Sequence, residues 1–277
     1  MKKSGLILLL VVLVVGCEAQ KGFDIGVFGT FTNTYIWRQN NYGTLAPFQI
    51  PIVRQSEMAY KATWHGTGGF EAGYNFTNNF GVKAAIQYST AGQKYEDNFD
   101  GPAIIPGDTF GNRGTVNVKR IVRLSYIQIP VMFKYTAKGK VFKFYAALGP
   151  QFGIRNSAYE QVQIEGHVYL PDSLNFSPNQ KFRSFDVGVV LQFGLDIYVV
   201  KQFYIEVGLS GYCGVIDLNG AALRNLGWYD KNHLSYQSSH NSSAGLTVGL
   251  HYIFKQKAKG VGAKEETDKT KPPRSPN

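Results

Sequence analysis

The chain has almost no cysteine. Cys17 and Cys213 are its only two, so no disulfide framework holds the fold. It also lacks an internal apolar run long enough for a membrane-spanning helix. Its five histidines show no metal-ligand spacing: His65 and His251 fall at opposite ends of the pattern described below, and His167, His233 and His240 stand in connecting segments. His65-Gly66-Thr67-Gly68-Gly69 lacks the lysine and the following helix of a phosphate loop. Ser89, Ser125 and Ser210 carry no local nucleophile signature. The net charge of +10 is neither concentrated nor interleaved with stacking aromatics, which argues against a nucleic-acid surface. The expectation is a protein without catalytic residues, metal, cofactor or nucleic-acid partner.

What the chain does have is one-by-one alternation of apolar and polar residues, as in Phe203-Tyr204-Ile205-Glu206-Val207-Gly208-Leu209-Ser210. Strict period two is the mark of a β-strand. The pattern predicts eight strands, at Phe23–Trp37, Lys61–Asn75, Phe80–Tyr95, Ile121–Tyr135, Val141–Arg155, Phe185–Val199, Phe203–Asp217 and Ser243–Phe254. Their connections are alternately long and short. Short turns fall near Phe76–Asn79, Thr136–Lys140 and Val200–Gln202. Long connections run Arg38–Tyr60, Glu96–Arg120, Asn156–Ser184 and Leu218–Ser242. With both termini on the periplasmic side, every long connection lies outside the cell, as outer-membrane barrels require. The predicted fold is all-β: an eight-stranded antiparallel up-and-down transmembrane β-barrel.

The faces agree with that fold. Phe185, Val187, Val189, Leu191, Phe193, Leu195 and Ile197 share one face of the sixth strand, and Asp186, Gln192 and Asp196 share the other. A soluble ligand-binding barrel would bury the apolar set and expose the polar one. A barrel in lipid does the reverse and must close, because an unpaired strand edge finds no water there. Aromatics gather near both ends of the outward face, with Phe76, Phe80, Tyr135 and Tyr252 at one end and Trp37, Trp64 and Tyr88 at the other. These form two interface girdles.

The two ends of the chain differ from this middle. Lys2 and Lys3 precede an apolar block from Leu6 to Val15 and then small residues, the layout of a signal peptide over residues 1–19. Val14-Val15-Gly16-Cys17 also reads as a lipobox that would leave Cys17 lipidated. Ordinary cleavage after Ala19 is favoured, because the first strand begins almost at once and a barrel needs no second anchor. Residues 20–254 make the barrel. Beyond Phe254, residues 255–277 carry seven Lys or Arg and three Asp or Glu, a basic tail read as disordered and periplasmic.

Leu124-Ser125-Tyr126-Ile127-Gln128-Ile129-Pro130-Val131-Met132-Phe133-Lys134-Tyr135 resembles the Tyr-x-Glu-Ile-Pro-x-x-x-Lys-Tyr strand of PorT-like outer-membrane β-barrel proteins. Tyr145-Ala146-Ala147-Leu148-Gly149-Pro150-Gln151-Phe152-Gly153 resembles that family's next strand, and Phe80-Gly81-Val82-Lys83 leading to Tyr88-Ser89 fits the same scheme. The resemblance spans Gly22 to Phe254. It implies an integral outer-membrane barrel of about eight strands, with one founding member linked to protein secretion. Gln128 stands where the family has an acidic residue, so no role resting on that carboxylate carries over.

An eight-stranded barrel has room inside only for side chains, and charges there must be paired. Inward positions near the periplasmic end are Lys83, Lys134 and Lys143, against Asp24, Glu71, Asp196 and Glu206. Glu71 and Lys83 lie diagonally across the second hairpin. Lys134 and Lys143 are expected to face each other across the next, so their carboxylates must come from other strands. At the outer rim Arg155 and Asp186 are expected to pair. The expected result is a salt-bridged plug. Function then moves to the long loops, with Tyr42, Phe48, Trp228 and Tyr229 as binding surface or cap. Three readings stand: a non-enzymatic accessory or binding protein in export or envelope assembly, an enzyme hydrolysing lipid or peptide, and a small channel. The partners expected are outer-membrane lipid, lipopolysaccharide and envelope or secretion proteins.

Overall fold

The computed structural model describes residues 22–38, 58–100, 115–164, 167–169, 177–221, 224 and 238–254. The strands are β1 (Gly22–Trp37), β2 (Tyr60–Lys61), β3 (Thr63–Asn75), β4 (Phe80–Asp100), β5 (Thr115–Thr136), β6 (Phe142–Ile164), β7 (His167–Tyr169), β8 (Phe185–Val200), β9 (Phe203–Gly214) and β10 (His240–Ile253), with one short helix, α1 (Pro178–Lys181). Each long strand pairs antiparallel with its neighbours in the order β1-β3-β4-β5-β6-β8-β9-β10. The last of these returns to the first, from Asp24↔Ile253 to Trp37↔His240. The ring of eight is closed, so none of these strands presents a free edge along its body.

The barrel is inside out relative to a soluble one. Outward Phe70 is 73% exposed, while inward Lys143 is 1% exposed. The outward belt is continuous around the ring: Ile25, Val27 and Phe31 on β1, Val82, Ile86 and Tyr88 on β4, Leu191 and Phe193 on β8. Its lower edge meets short turns. At Thr77 the turn is fixed locally, since the threonine hydroxyl accepts the Asn79 and Phe80 amides at 3.2 and 2.8 Å. Asn79 then ties this turn to the next by donating to the Thr136 carbonyl at 2.7 Å.

At the opposite, long-loop end the strands outrun the sequence expectation. β4 continues to Asp100, β5 starts at Thr115 and β6 continues to Ile164. The reason lies in the side chains. Above the belt the alternation changes phase: Tyr95, Val118, Val122, Leu124 and Val162 point inward and are buried, while Lys94, Lys119 and Arg123 point outward. That is the pattern of a sheet in water, with an apolar inner face. β9 instead stops at Gly214, three residues before the expected Asp217.

The projecting sheet covers a core of its own. Ile36, Met58, Tyr95, Val118, Val122, Leu124, Tyr126, Val162, Phe182 and Leu218 form one buried cluster. Met58, Phe182 and Leu218 come from three different long connections, so the described residues of these connections pack together as a cap on the barrel. The expected aromatic loop residues Tyr42, Phe48, Trp228 and Tyr229 lie outside the described residues, as do the candidate lipidation site Cys17, the signal segment and the tail.

Candidate functional site

The interior is built in three levels. The lowest, near the short turns, is charged. Lys83 on β4 reaches Glu71 Oε2 and Glu206 Oε1, each at 3.2 Å. Lys134 on β5 reaches Asp196 Oδ2 at 2.8 Å and Glu206 Oε2 at 3.3 Å. The Tyr145 hydroxyl donates to Glu206 at 3.1 Å. Glu206 is therefore the hub, taking two ammonium groups and a phenol. β4 and β9 stand on opposite walls of the eight-strand ring, so the Lys83–Glu206 contact spans its full diameter.

Two of the expected charges sit differently. Lys134 and Lys143 do not face each other, because Lys134 lies opposite Ala147 and Thr136 opposite Tyr145. The β5–β6 connection carries Lys143 below that level. Its partner in the ladder is Asp196 on β8, and its ammonium lies 4.1 Å from the centre of the Tyr198 ring. Asp24 accepts from Asn75 at 3.1 Å and from the Tyr204 hydroxyl at 3.3 Å, and lies 3.8 Å from His251 Nδ1. Space for that imidazole comes from Gly26, where a Cβ would stand 2.4 Å from His251 Nδ1.

Sequence reasoning missed one grouping here. Glu71, Glu206 and His251 bring possible ligand atoms within 4.8 Å of one another. His251 comes from β10 and Glu71 from β3, on either side of β1, so only the closed ring makes them neighbours. The Lys83 ammonium, lying between the two carboxylates, supplies positive charge at that point.

The middle level is uncharged and polar apart from Asp186. Thr30 and Thr247 share a hydrogen bond at 2.9 Å, Thr67 donates to Ser89 at 2.9 Å, and Gln87 donates to Gln128 at 2.8 Å. Around them is a cavity of about 40 Å³, room for roughly three waters. Asn241 on β10 donates to the Tyr126 hydroxyl on β5 at 3.1 Å. These strands also stand on opposite walls, so the lumen is crossed a second time.

The expected Arg155–Asp186 rim pair does not form. Arg155 turns up to α1 and the segment after it, donating to the carbonyls of Asn179, Phe182 and Arg183 at 3.0, 3.2 and 3.1 Å. Asp186 turns down into the chamber, accepting from Asn241 at 2.9 Å and bonding Tyr212. The reason is the β6–β8 register, which pairs Asp186 with Gly153. Arg155 lies two residues farther along β6, where its amide donates to the Ser184 carbonyl at 2.7 Å.

The uppermost level is the cap, and it holds a buried ionic triad. Glu160 on β6 accepts from Arg120 Nε and from Lys181 Nζ, both at 2.6 Å. All three side chains are almost wholly buried. Burial alone would raise the Glu160 carboxyl, but Arg120 and Lys181 outweigh it and hold the group below its ordinary value. Burial pushes the Lys181 ammonium down further than Glu160 raises it. The triad ties α1 to the projecting sheet.

Residues 18–220 match the outer membrane protein beta-barrel domain. No curated protein matches the chain. Among solved structures, it is similar to the outer membrane protein OprG from Pseudomonas aeruginosa, with 12% identity over 87% of this chain and 100% of that one, at a TM-score of 0.40. Neisserial surface protein A shows 11% identity over 84% and 97% of the two chains, at 0.38. Ail, the attachment invasion locus protein of Yersinia pestis, shows 9% identity over 84% and 100%, at 0.35. With the family match covering well over half of its length, the chain belongs to the outer membrane protein beta-barrel domain family and is an integral outer-membrane β-barrel.

Proposed function

We propose that this protein is a sealed, non-enzymatic scaffold of the Gram-negative outer membrane, with its long connections outside and both termini periplasmic, that serves export or envelope assembly by binding at its surface. The carrying observation is the double crossing of the lumen, by Lys83–Glu206 and by Asn241–Tyr126. A barrel bridged between opposite walls at two levels is a support, not a conduit. What remains available for work is the cap, the connections above it and the outward face. The PorT-like strand from Leu124 to Tyr135 favours the export branch of this reading. Ser89, one of the candidate serines for a hydrolase, is engaged by Thr67 inside the barrel, which favours a structural role for it.

Cross-linking in intact envelopes, followed by identification of neighbours, tests the reading. Envelope or secretion proteins joined to the long connections support it. A strain lacking the gene with unchanged secreted and surface proteins counts against the export branch. In planar bilayers the purified protein is expected to show no large, steady open channels, and their presence would sink the sealed-barrel reading in favour of a channel.

Placement in lipid has its own test. Leu191→Arg puts a charge in the outward belt of β8, expected to cost about 2–4 kcal/mol of unfolding free energy in vesicles if the site lies near mid-bilayer. The measurement is a urea titration followed by tryptophan emission. A change below about 0.5 kcal/mol, the scale of an ordinary surface substitution, would mean that this face does not meet hydrocarbon.

A further inference from the structure

Three cations stand side by side on the outward face of the sheet, just above the apolar belt. Lys61 on β2 and Lys94 on β4 are direct cross-strand partners. Arg123 on β5 is the partner of Gly92, two residues along β4 from Lys94. All three are exposed. Like charges directly opposite each other weaken a ladder, so a compensating anion is called for. Among the described residues no carboxylate lies within ion-pair distance of any of the three; Glu96 is within electrostatic reach of Lys61 but is paired elsewhere. Lys119, higher on β5, makes the contrast: it is held by Glu96 at 3.2 Å. Asp97 is engaged by the backbone amides of Ala59 and Asn98. His65 on β3 lies within electrostatic reach of both Lys94 and Arg123.

The height of the row matters as much as its charge. The outward residues below it are Tyr88 on β4, Ile127 on β5 and Trp64 on β3, the last stacked on Phe31 at 5.0 Å. These form the upper edge of the belt, where aromatic rings meet the headgroup layer. An arginine fork grips phosphate oxygens in pairs, and lysines beside it add point charge.

We infer that Lys61, Lys94 and Arg123 form a binding site for the phosphate groups of a lipid headgroup, and, with the long-loop end outside, that this lipid is a phosphorylated glycolipid of the kind lipopolysaccharide presents. The acyl chains would run down the face of Trp64, Phe31 and Tyr88. The choice of lipid rests on the orientation proposed above; the phosphate site itself does not.

The test uses full-length folded protein in detergent, titrated with bisphosphorylated lipid A and followed by native mass spectrometry. The variant is Lys61→Ala/Lys94→Ala/Arg123→Ala, whose exposed positions leave the barrel intact. The control is Lys138→Ala/Lys140→Ala/Lys201→Ala, exposed cations at the short-turn end. Wild type and control are expected to bind alike and the row variant at least about tenfold more weakly, the loss of a few charge-assisted contacts. Equal binding by the row variant overturns the site. Dephosphorylated lipid A is expected to bind as weakly as the row variant does. Full competition by inorganic phosphate at matched concentration would make this a simple anion site and overturn the lipid assignment. Labelling Lys94→Cys on whole cells with an impermeant maleimide separates the two readings. Binding without labelling would refute the orientation, and with it the glycolipid, while leaving the phosphate site.

Discussion

Glu206→Ala is expected to destabilise the folded barrel by roughly 3–5 kcal/mol, the penalty for removing one member of a buried ionic cluster. Glu206 meets Lys83 at 3.2 Å, Lys134 at 3.3 Å and the Tyr145 hydroxyl at 3.1 Å. Its loss leaves Lys83 with Glu71 and Lys134 with Asp196, each ammonium short of one contact in a largely buried site. Glu206→Gln keeps the volume and the phenol contact but not the charge, so it is expected to fall between wild type and alanine. Equilibrium urea unfolding in detergent or vesicles gives the values. A double-mutant cycle with Lys83→Met isolates the cross-lumen pair from the rest of the network. Alanine within about 0.5 kcal/mol of wild type, the scale of an ordinary surface change, would show that the network holds nothing together. The same variant removes one of the two bridges across the lumen, so its bilayer recordings are expected to show brief openings absent from wild type.

That network could be read from the chain because two simple rules fix it. Alternation sets which side chains point inward, and distance from the short turns sets their height. Glu71, Lys83, Lys134, Asp196 and Glu206 follow from those rules alone. Which partner each takes does not, because pairing depends on register and on strands far apart in sequence. Lys134 and Lys143 show this: a connection slightly longer than a tight turn displaces one past the other. Arg155 and Asp186 show it again: the β6–β8 register pairs Asp186 with Gly153, which leaves Arg155 two residues above it. Glu71, Glu206 and His251 meet only because the sheet closes on itself, and no linear pattern carries that.

The cap is legible only in part in the sequence. Reading outward apolar residues as the sign of a strand ends each strand where the hydrocarbon ends. Yet Val118-Lys119-Arg120-Ile121-Val122-Arg123-Leu124 keeps its inward apolar positions, and the strand with them. A period-two pattern whose outward side turns polar marks a sheet leaving lipid, not a sheet stopping. Lys181 gives no such signal, since it sits in a connection whose path follows from tertiary packing. Its partner Glu160 becomes visible only once β6 is allowed to run on.

Glu160→Ala is expected to free this cap while leaving the barrel closed. Arg120 and Lys181 lose the carboxylate they share at 2.6 Å, in a core shared with Tyr95, Val122 and Phe182. The local penalty is again roughly 3–5 kcal/mol, but it falls on the contact between α1 and the projecting sheet. Hydrogen exchange is expected to quicken across residues 115–124, 157–164 and 177–183, with the belt strands still protected. Equal loss of protection along β8 and β9 would mean that cap and barrel unfold as one unit, against the layered reading. Acid should mimic the substitution. A carboxyl held below its ordinary value binds fewer protons folded than unfolded, so its stabilisation is complete above the unfolded value of about 4.3 and is lost as pH falls through the folded one. Cap protection in wild type is therefore expected to decline on the acid side of pH 4, and Glu160→Gln, already without the charge, to show low protection with little dependence on pH. A wild-type cap equally protected at pH 7 and pH 3 would show that Arg120 and Lys181 are held by other contacts.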